Sequence, residues 1–305
     1  MKHKQRMKIF ILIISIILFP FFNISVCYAD LEDNEEVDLE QIQKEVVQAS
    51  RTITEEPKLN AKIGLVFDRA SKTILYEKNG LKQVPMASTT KIMTAIVVLE
   101  NADLTDVVTI DKKAAGTGGS RLGLKVNDKI TVHDLLYGLM LKSGNDTAVA
   151  LAIHVGGSVE GFANMMNQTA QEMGWVNSHF VTPHGLDAQG HYTTAYELAC
   201  MADYALQNPK FKEIVSTKTY TVTLNGRPQV ISNTNELLGY LDGVYGVKTG
   251  FTNGANRCLV TACKRGEFDI ITVVLGADTK KIRTQDSINL IEYTHKNYQV
   301  VNLEE

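Results

Sequence analysis

Three short runs in this 305-residue chain place a nucleophile, a base and an anion grip in one order along the sequence. The first is Ser88-Thr89-Thr90-Lys91. Pro85 lies just upstream, and Ile92, Met93, Ala95, Ile96, Val97, Val98 and Leu99 follow. A helix apolar almost all round is a buried helix. Residues three apart share a helix face, so Ser88 and Lys91 would meet at its N-terminus. Burial lowers a lysine pKa because the charged form loses its water, and a neutral amine can take a serine proton. The Ser88 N–H would be one of the helix's unpaired donors, ready to hold an oxyanion. The same four residues also suit an N-cap serine with its lysine reaching outward.

The second run is Ser143-Gly144-Asn145, between two apolar helical stretches. A tight break there would push a hydroxyl and an amide into a cleft. The hydroxyl could pass protons between lysines, and the amide could hold a substrate peptide group. Ser, Gly and Asn are equally the residues of an ordinary turn. The third run, Lys248-Thr249-Gly250, ends a strand-like stretch. Lysine and hydroxyl could grip a carboxylate while Gly250 lets another backbone approach; the plainer alternative is a charged strand end. Each run occurs once. Together, in this order, they resemble the motif set of class A β-lactamases and penicillin-binding proteins, whose middle run has an SDN form where this chain has SGN. A second Ser-x-Asn, Ser287-Ile288-Asn289, falls inside the final helical stretch and fits no role.

The elements that must carry these runs can be read from periodicity. Lys62–Asp68 and Thr73–Glu77 read as a hairpin, and Val244–Thr249, Cys258–Cys263 and Ile270–Gly276 as strands. Helical patterns cover Thr89–Leu99, Val132–Leu141, Asp146–Val155, Phe162–Met173 and Thr194–Ala205. An amphipathic helix over Asp286–Lys296 closes the chain, with Ile288, Ile291 and Tyr293 or Thr294 toward the sheet. Asn225-Gly226 between Thr219–Leu224 and Gln229–Ser232 is a hairpin turn signal. The architecture is α+β: an antiparallel sheet whose first and last strands meet, flanked by helices, with a helical subdomain inserted.

With the three runs in place, the chain resembles the low-molecular-mass serine D-Ala-D-Ala carboxypeptidases of the S11 peptidase type, from roughly Leu59 to Tyr298. Longer matches support the resemblance: Met86–Ala95 around the first run, Gly118-Gly119-Ser120-Arg121-Leu122-Gly123, Pro183-His184-Gly185-Leu186-Asp187, and His191-Tyr192-Thr193-Thr194-Ala195. It implies a β-lactamase/transpeptidase-like fold and an enzyme that removes the terminal D-Ala of peptidoglycan stem pentapeptides through an acyl-enzyme on Ser88. Lys91 would be its base. Ser143 and Lys248 would complete the proton network, and Asn145 would contact the substrate. The N–H groups of Ser88 and Phe251 would hold the oxyanion, and Arg283 would join Lys248, Thr249 and Gly250 in binding the terminal carboxylate. β-Lactams would be covalent inhibitors, and neither metal nor cofactor is implied.

Lys2, Lys4, Arg6 and Lys8 precede an apolar run from Ile9 to Phe22, and Ala29 follows: the form of a secretory signal peptide over residues 1–29. Its loss would take four basic residues and no acids from the 31 and 34 of the whole chain, leaving a net charge near −7 and arguing against nucleic acid as partner. Residues 30–57 read as an acidic linker, and 58–305 as the catalytic domain. The domain would act outside the cytoplasmic membrane, tethered only if residues 9–22 are retained. Relatives with a C-terminal amphipathic anchor differ from this sequence, which stops at Glu305. Cys258 and Cys263, five apart in one strand, fall on opposite faces and read as buried thiols rather than a disulfide.

Three other readings are open. A class A β-lactamase needs a deacylating glutamate in an ExxLN run between the second and third runs; the chain's ExxLN, Glu56–Asn60, lies upstream of Ser88, and the corresponding region carries His184 and Asp187 instead. A zinc D,D-peptidase would draw ligands from His179, His184, Asp187 and His191, whose spacing matches no zinc signature. A non-catalytic penicillin-binding sensor would have lost one of the named side chains, and all are present.

Overall fold

The computed structural model describes residues 56–298. The signal-peptide reading of 1–29 and nearly all of the acidic linker lie outside these residues. Strands β1 (Ile63–Asp68) and β2 (Thr73–Lys78) form the expected hairpin. Strands β7 (Val244–Thr252), β8 (Asn256–Arg265) and β9 (Phe268–Ala277) complete a five-stranded antiparallel sheet of order β2-β1-β9-β8-β7. The first strand does meet the last, with Ile63 opposite Leu275 and Asp68 opposite Ile270. Two-stranded ribbons pair β3 (Val107–Thr109) with β4 (Lys129–Thr131), and β5 (Thr219–Leu224) with β6 (Arg227–Ser232). Asn225 and Gly226 both take positive φ in the turn of the second ribbon, as a tight hairpin requires.

The sheet is buried on both faces. Leu65 and Phe67 belong to one apolar cluster and Val66 to the other, which is the period of two made visible. On the first face lie the inserted helices α1 (Lys91–Asn101), α2 (Lys112–Ala115), α3 (Val132–Met140), α4 (Asn145–Gly156), α5 (Val159–Glu172), α6 (Ala195–Ala205) and α7 (Pro209–Ser216). On the second lies α8 (Lys280–Asn297), which buries Ile288, Leu290, Ile291 and Thr294. Tyr293 is instead half-buried, edge-on to Tyr76. Cys258 and Cys263 fall in opposite clusters as free thiols.

Several boundaries differ from the sequence reading for local reasons. Helix α8 starts six residues earlier than expected. Thr279 caps it by accepting from the Ile282 N–H, and its first turn is too polar to register in an apolar pattern. The helix expected from Thr89 instead opens with a 3-10 turn, Ala87–Thr90, before α1 proper. β3, β4, α2 and α7 were not anticipated; the first three are too short to show a period. Lys248-Thr249-Gly250 does not end its strand but sits in mid-β7, which runs on to Thr252.

Candidate active site

Helix α1 is buried on all sides over Lys91–Val98, so its apolar girth fixes it in the core. That burial carries Lys91 inward with it. Lys91 is 0% exposed, and Nζ lies 2.8 Å from Ser88 Oγ, 2.7 Å from Asn145 Oδ1 and 2.8 Å from the His184 carbonyl. Ser88 is the half-exposed member of a 3-10 turn whose other three residues are buried. The outward-reaching lysine is thus not what forms.

The turn is held in an unusual shape. Ala87 has φ +48°, a left-handed conformation rare for a residue with a Cβ. Its carbonyl accepts from Thr90 Oγ1 at 2.8 Å, and Thr90 Oγ1 lies 2.8 Å from His191 Nε2. The Val181 N–H donates to His191 Nδ1 at 3.0 Å. A backbone N–H can only donate, so the imidazole is neutral with its proton on Nε2. Gly185, at φ +89°, closes over the turn; a Cβ there would fall 1.9 Å from the Ala87 oxygen.

The second run forms the break between α3 and α4. Ser143 is buried at φ +59°, Gly144 caps α4, and Asn145 is the first residue of that helix. Asn145 Nδ2 donates to the Gly118 carbonyl at 2.9 Å, which turns its oxygen toward Lys91. Asp146 is fully buried and accepts from the N–H groups of Leu122, Gly123 and Leu124, holding the 118–124 segment beside Asn145.

The third run lies on the outer strand of the sheet, where alternate N–H groups are not used by a neighbour. Lys248 is 1% exposed, with Nζ donating to the Thr249 carbonyl at 3.1 Å. Thr249 Oγ1 lies 2.7 Å from Thr234 Oγ1. A Cβ on Gly250 would stand 3.0 Å from Ser88 N and 3.2 Å from Thr89 N, so glycine lets β7 press against the turn that carries Ser88. Phe251 lies under the Arg257 guanidinium, 4.5 Å from ring to Cζ. Ser88, Lys91, Asn145 and Gly250 are therefore gathered by direct contact. Arg283, by contrast, is buried and ion-paired to Glu236.

The His179, His184, Asp187 and His191 set does not converge. Asp187 accepts from Thr252 Oγ1 at 2.6 Å and from the Gly254 N–H at 2.8 Å, tying this loop to the β7–β8 turn. His179 Nδ1 lies 2.6 Å from the Gly190 carbonyl, and His184 Nδ1 accepts from the Leu186 N–H. Among the described residues no three His, Cys, Asp or Glu are gathered as metal ligands. The segment serves the serine site: it supplies the His184 carbonyl, Gly185 and His191. Their contacts span about a hundred positions, so no local sequence signal marks the pairing of His191 with Thr90.

Burial, with the Lys91 and His191 charges, pushes His184 down to about 3. Burial and His179 push His191 down to about 4, against the opposing pull of Asp187. Unfolded imidazoles titrate near 6.5. As pH falls below that value the unfolded chain takes up protons that these folded histidines refuse, so stability is lost from about pH 6.5 toward pH 4. His191 alone accounts for on the order of 3 kcal/mol of that loss. Melting temperatures at pH 7.5 and 4.5 should converge in His191→Gln relative to wild type. An unchanged acid slope in the variant would count against this account.

The family model for Peptidase S11, D-alanyl-D-alanine carboxypeptidase, matches residues 50–279. The chain is 35% identical over 245 residues to the D-alanyl-D-alanine carboxypeptidase DacF of Bacillus subtilis, covering 78% of this chain and 63% of that one. It is 37% identical to the D-alanyl-D-alanine carboxypeptidase of Streptomyces sp. K15, covering 79% and 89%. The crystal structure of the Streptomyces K15 DD-transpeptidase superposes with a TM-score of 0.75 at 36% identity, over 79% of this chain and 98% of that one. The chain thus spans less than two thirds of the Bacillus relative and nearly all of the Streptomyces structure.

Proposed function

The chain belongs to the Peptidase S11 family of D-alanyl-D-alanine carboxypeptidases, and from that premise we propose that it removes the terminal D-Ala of peptidoglycan stem peptides through an acyl-enzyme on Ser88. The observation that carries the reading is the set of oxygens around Lys91 Nζ. Two of them, Asn145 Oδ1 and the His184 carbonyl, can only accept. With Lys91 as a neutral amine, its lone pair can face Ser88 Oγ and accept the hydroxyl proton, which is the arrangement that activates a serine.

In the proposed reaction, Ser88 Oγ bonds to the carbonyl carbon between the two D-Ala residues as its proton passes to Lys91. The N–H groups of Ser88 and Phe251 hold the oxyanion. The C–N bond breaks, and the departing D-Ala amine takes a proton relayed through Lys91, Ser143 and Lys248. Water then cleaves the ester, freeing the shortened peptide and restoring Ser88. Asn145 holds the substrate peptide group. Lys248, Thr249 and Arg283 bind the terminal carboxylate, and Gly250 gives the strand its close approach. A β-lactam undergoes the first step, but its leaving nitrogen stays tethered, so the adduct persists.

A diacyl-D-Ala-D-Ala peptide should release one D-Ala per molecule and no more; absence of release sinks the reading. Arg283→Ala should lower kcat/KM on the free acid by about one to two decades, the worth of a charge-assisted pair. A C-terminally amidated peptide should lose far less. Export through residues 1–29 belongs to the same proposal, and a mature N-terminus at Asp30 is its expected sign. No helix among the described residues is long and apolar enough to cross a membrane.

A further inference from the structure

Arg283 lies in the first turn of α8, and its side chain is 4% exposed. Its Nη2 donates to Glu236 Oε1, and Thr284 Oγ1 donates to the same oxygen at 2.9 Å. The Glu236 side chain is 21% exposed against 4% for Arg283, so the carboxylate is the more solvent-accessible partner of the pair. The preceding residues are pinned beside β7: Thr234 Oγ1 lies 2.7 Å from Thr249 Oγ1, and Asn235 Nδ2 donates to the Gly246 carbonyl at 3.1 Å. Glu236 is thereby delivered to the same stretch of β7 that the proposed carboxylate grip occupies.

A second guanidinium lies near the first: Arg257 stands over Phe251, next to the grip, and burial with the Arg283 charge lowers its pKa.

We propose that Glu236 is a resident occupant of the carboxylate site, holding Arg283 until the C-terminal carboxylate of the substrate takes its place. The proposal rests on the reading of Arg283 as the carboxylate anchor. The exchange replaces one carboxylate by another, and the displaced Glu236 moves into water from a position already partly exposed. The substrate carboxylate therefore gains only the difference between two similar pairs. Glu236 acts on specificity: it weakens the hold on a free C-terminus and leaves a neutral C-terminus untouched.

The test compares kcat and KM on a diacyl-D-Ala-D-Ala free acid and on its amide, for wild type, Glu236→Gln, Glu236→Ala and Arg283→Gln, with melting temperatures recorded. Glu236→Gln keeps the side-chain shape and removes its anion. The free-acid KM should fall about tenfold, the scale of one charge-assisted hydrogen bond, while kcat and the amide KM hold within about twofold. A free-acid KM that stays or rises overturns the proposal, as does an equal fall on both substrates. If Glu236→Gln melts early, Glu236→Ala decides by the same ratio. If Arg283→Gln costs both substrates alike, the anchor reading fails and the proposal fails with it. If Arg283→Gln is selective for the free acid and the Glu236 variants are not, the proposal alone fails. If wild type hydrolyses neither peptide, acylation rates with benzylpenicillin and its methyl ester give the same comparison.

Discussion

Ser88→Ala is expected to release no D-Ala and to gain no mass from a β-lactam, while melting within about 2 °C of wild type. The loss should reach the detection limit, about four orders of magnitude or more, because Ser88 carries the hydroxyl set against Lys91 Nζ. Stability should be spared for a stated reason. The Ser88 hydroxyl is half-exposed, and its removal leaves Lys91 with both carbonyl partners, Asn145 Oδ1 and His184 O. Intact mass after incubation with benzylpenicillin reads the result directly. A single stoichiometric adduct on the alanine variant would falsify the assignment of the nucleophile.

Lys91→Arg should be nearly as damaging, by about 10³-fold in acylation rate, the upper range for a positioned general base. Arginine does not give up its proton in proteins, so charge is kept and the base is lost. Lys91→Met, which keeps length without the amine, should be equally inactive. Wild-type acylation should fall at acid pH as Lys91 takes up a proton. The imidazoles beside the site cannot produce that limb near neutrality, since His184 and His191 are pushed down to about 3 and about 4. A rate flat from pH 4.5 to 8, or an arginine variant keeping a tenth of the activity, would end the lysine-base account.

Much of this was legible in the residues. The wholly apolar run after Lys91 said that the helix is buried, and a buried helix drags its lysine inward. The alternation in the strand-like runs gave the sheet, and Cys258 and Cys263 fell on opposite faces because five is odd. What was not legible depends on contacts distant in sequence. The 3-10 turn at Ala87–Thr90 is shaped by Gly185 and by β7 pressing at Gly250, and neither leaves a mark near Ser88. The first turn of α8 carries Lys280, Lys281 and Arg283, which look like loop until Thr279 is seen to cap them. Glu236 meets Arg283 across 47 positions, and no spacing rule reaches that far.

The pairing of β1 with β9 bears on how such a chain acquires its shape. Ile63 and Leu275 are neighbours in the sheet but more than 200 positions apart in sequence. Closing a loop of that length rather than one a tenth as long costs only about 2 kcal/mol more in chain entropy, so the finished sheet is little penalised. The burden is one of time. A chain made from its N-terminus holds β1, six residues buried in the native state, without its central partner until about 200 further positions have been added. The half-made protein therefore carries a β1–β2 hairpin with one apolar edge unpaired, and that edge is what needs shielding until β9 arrives.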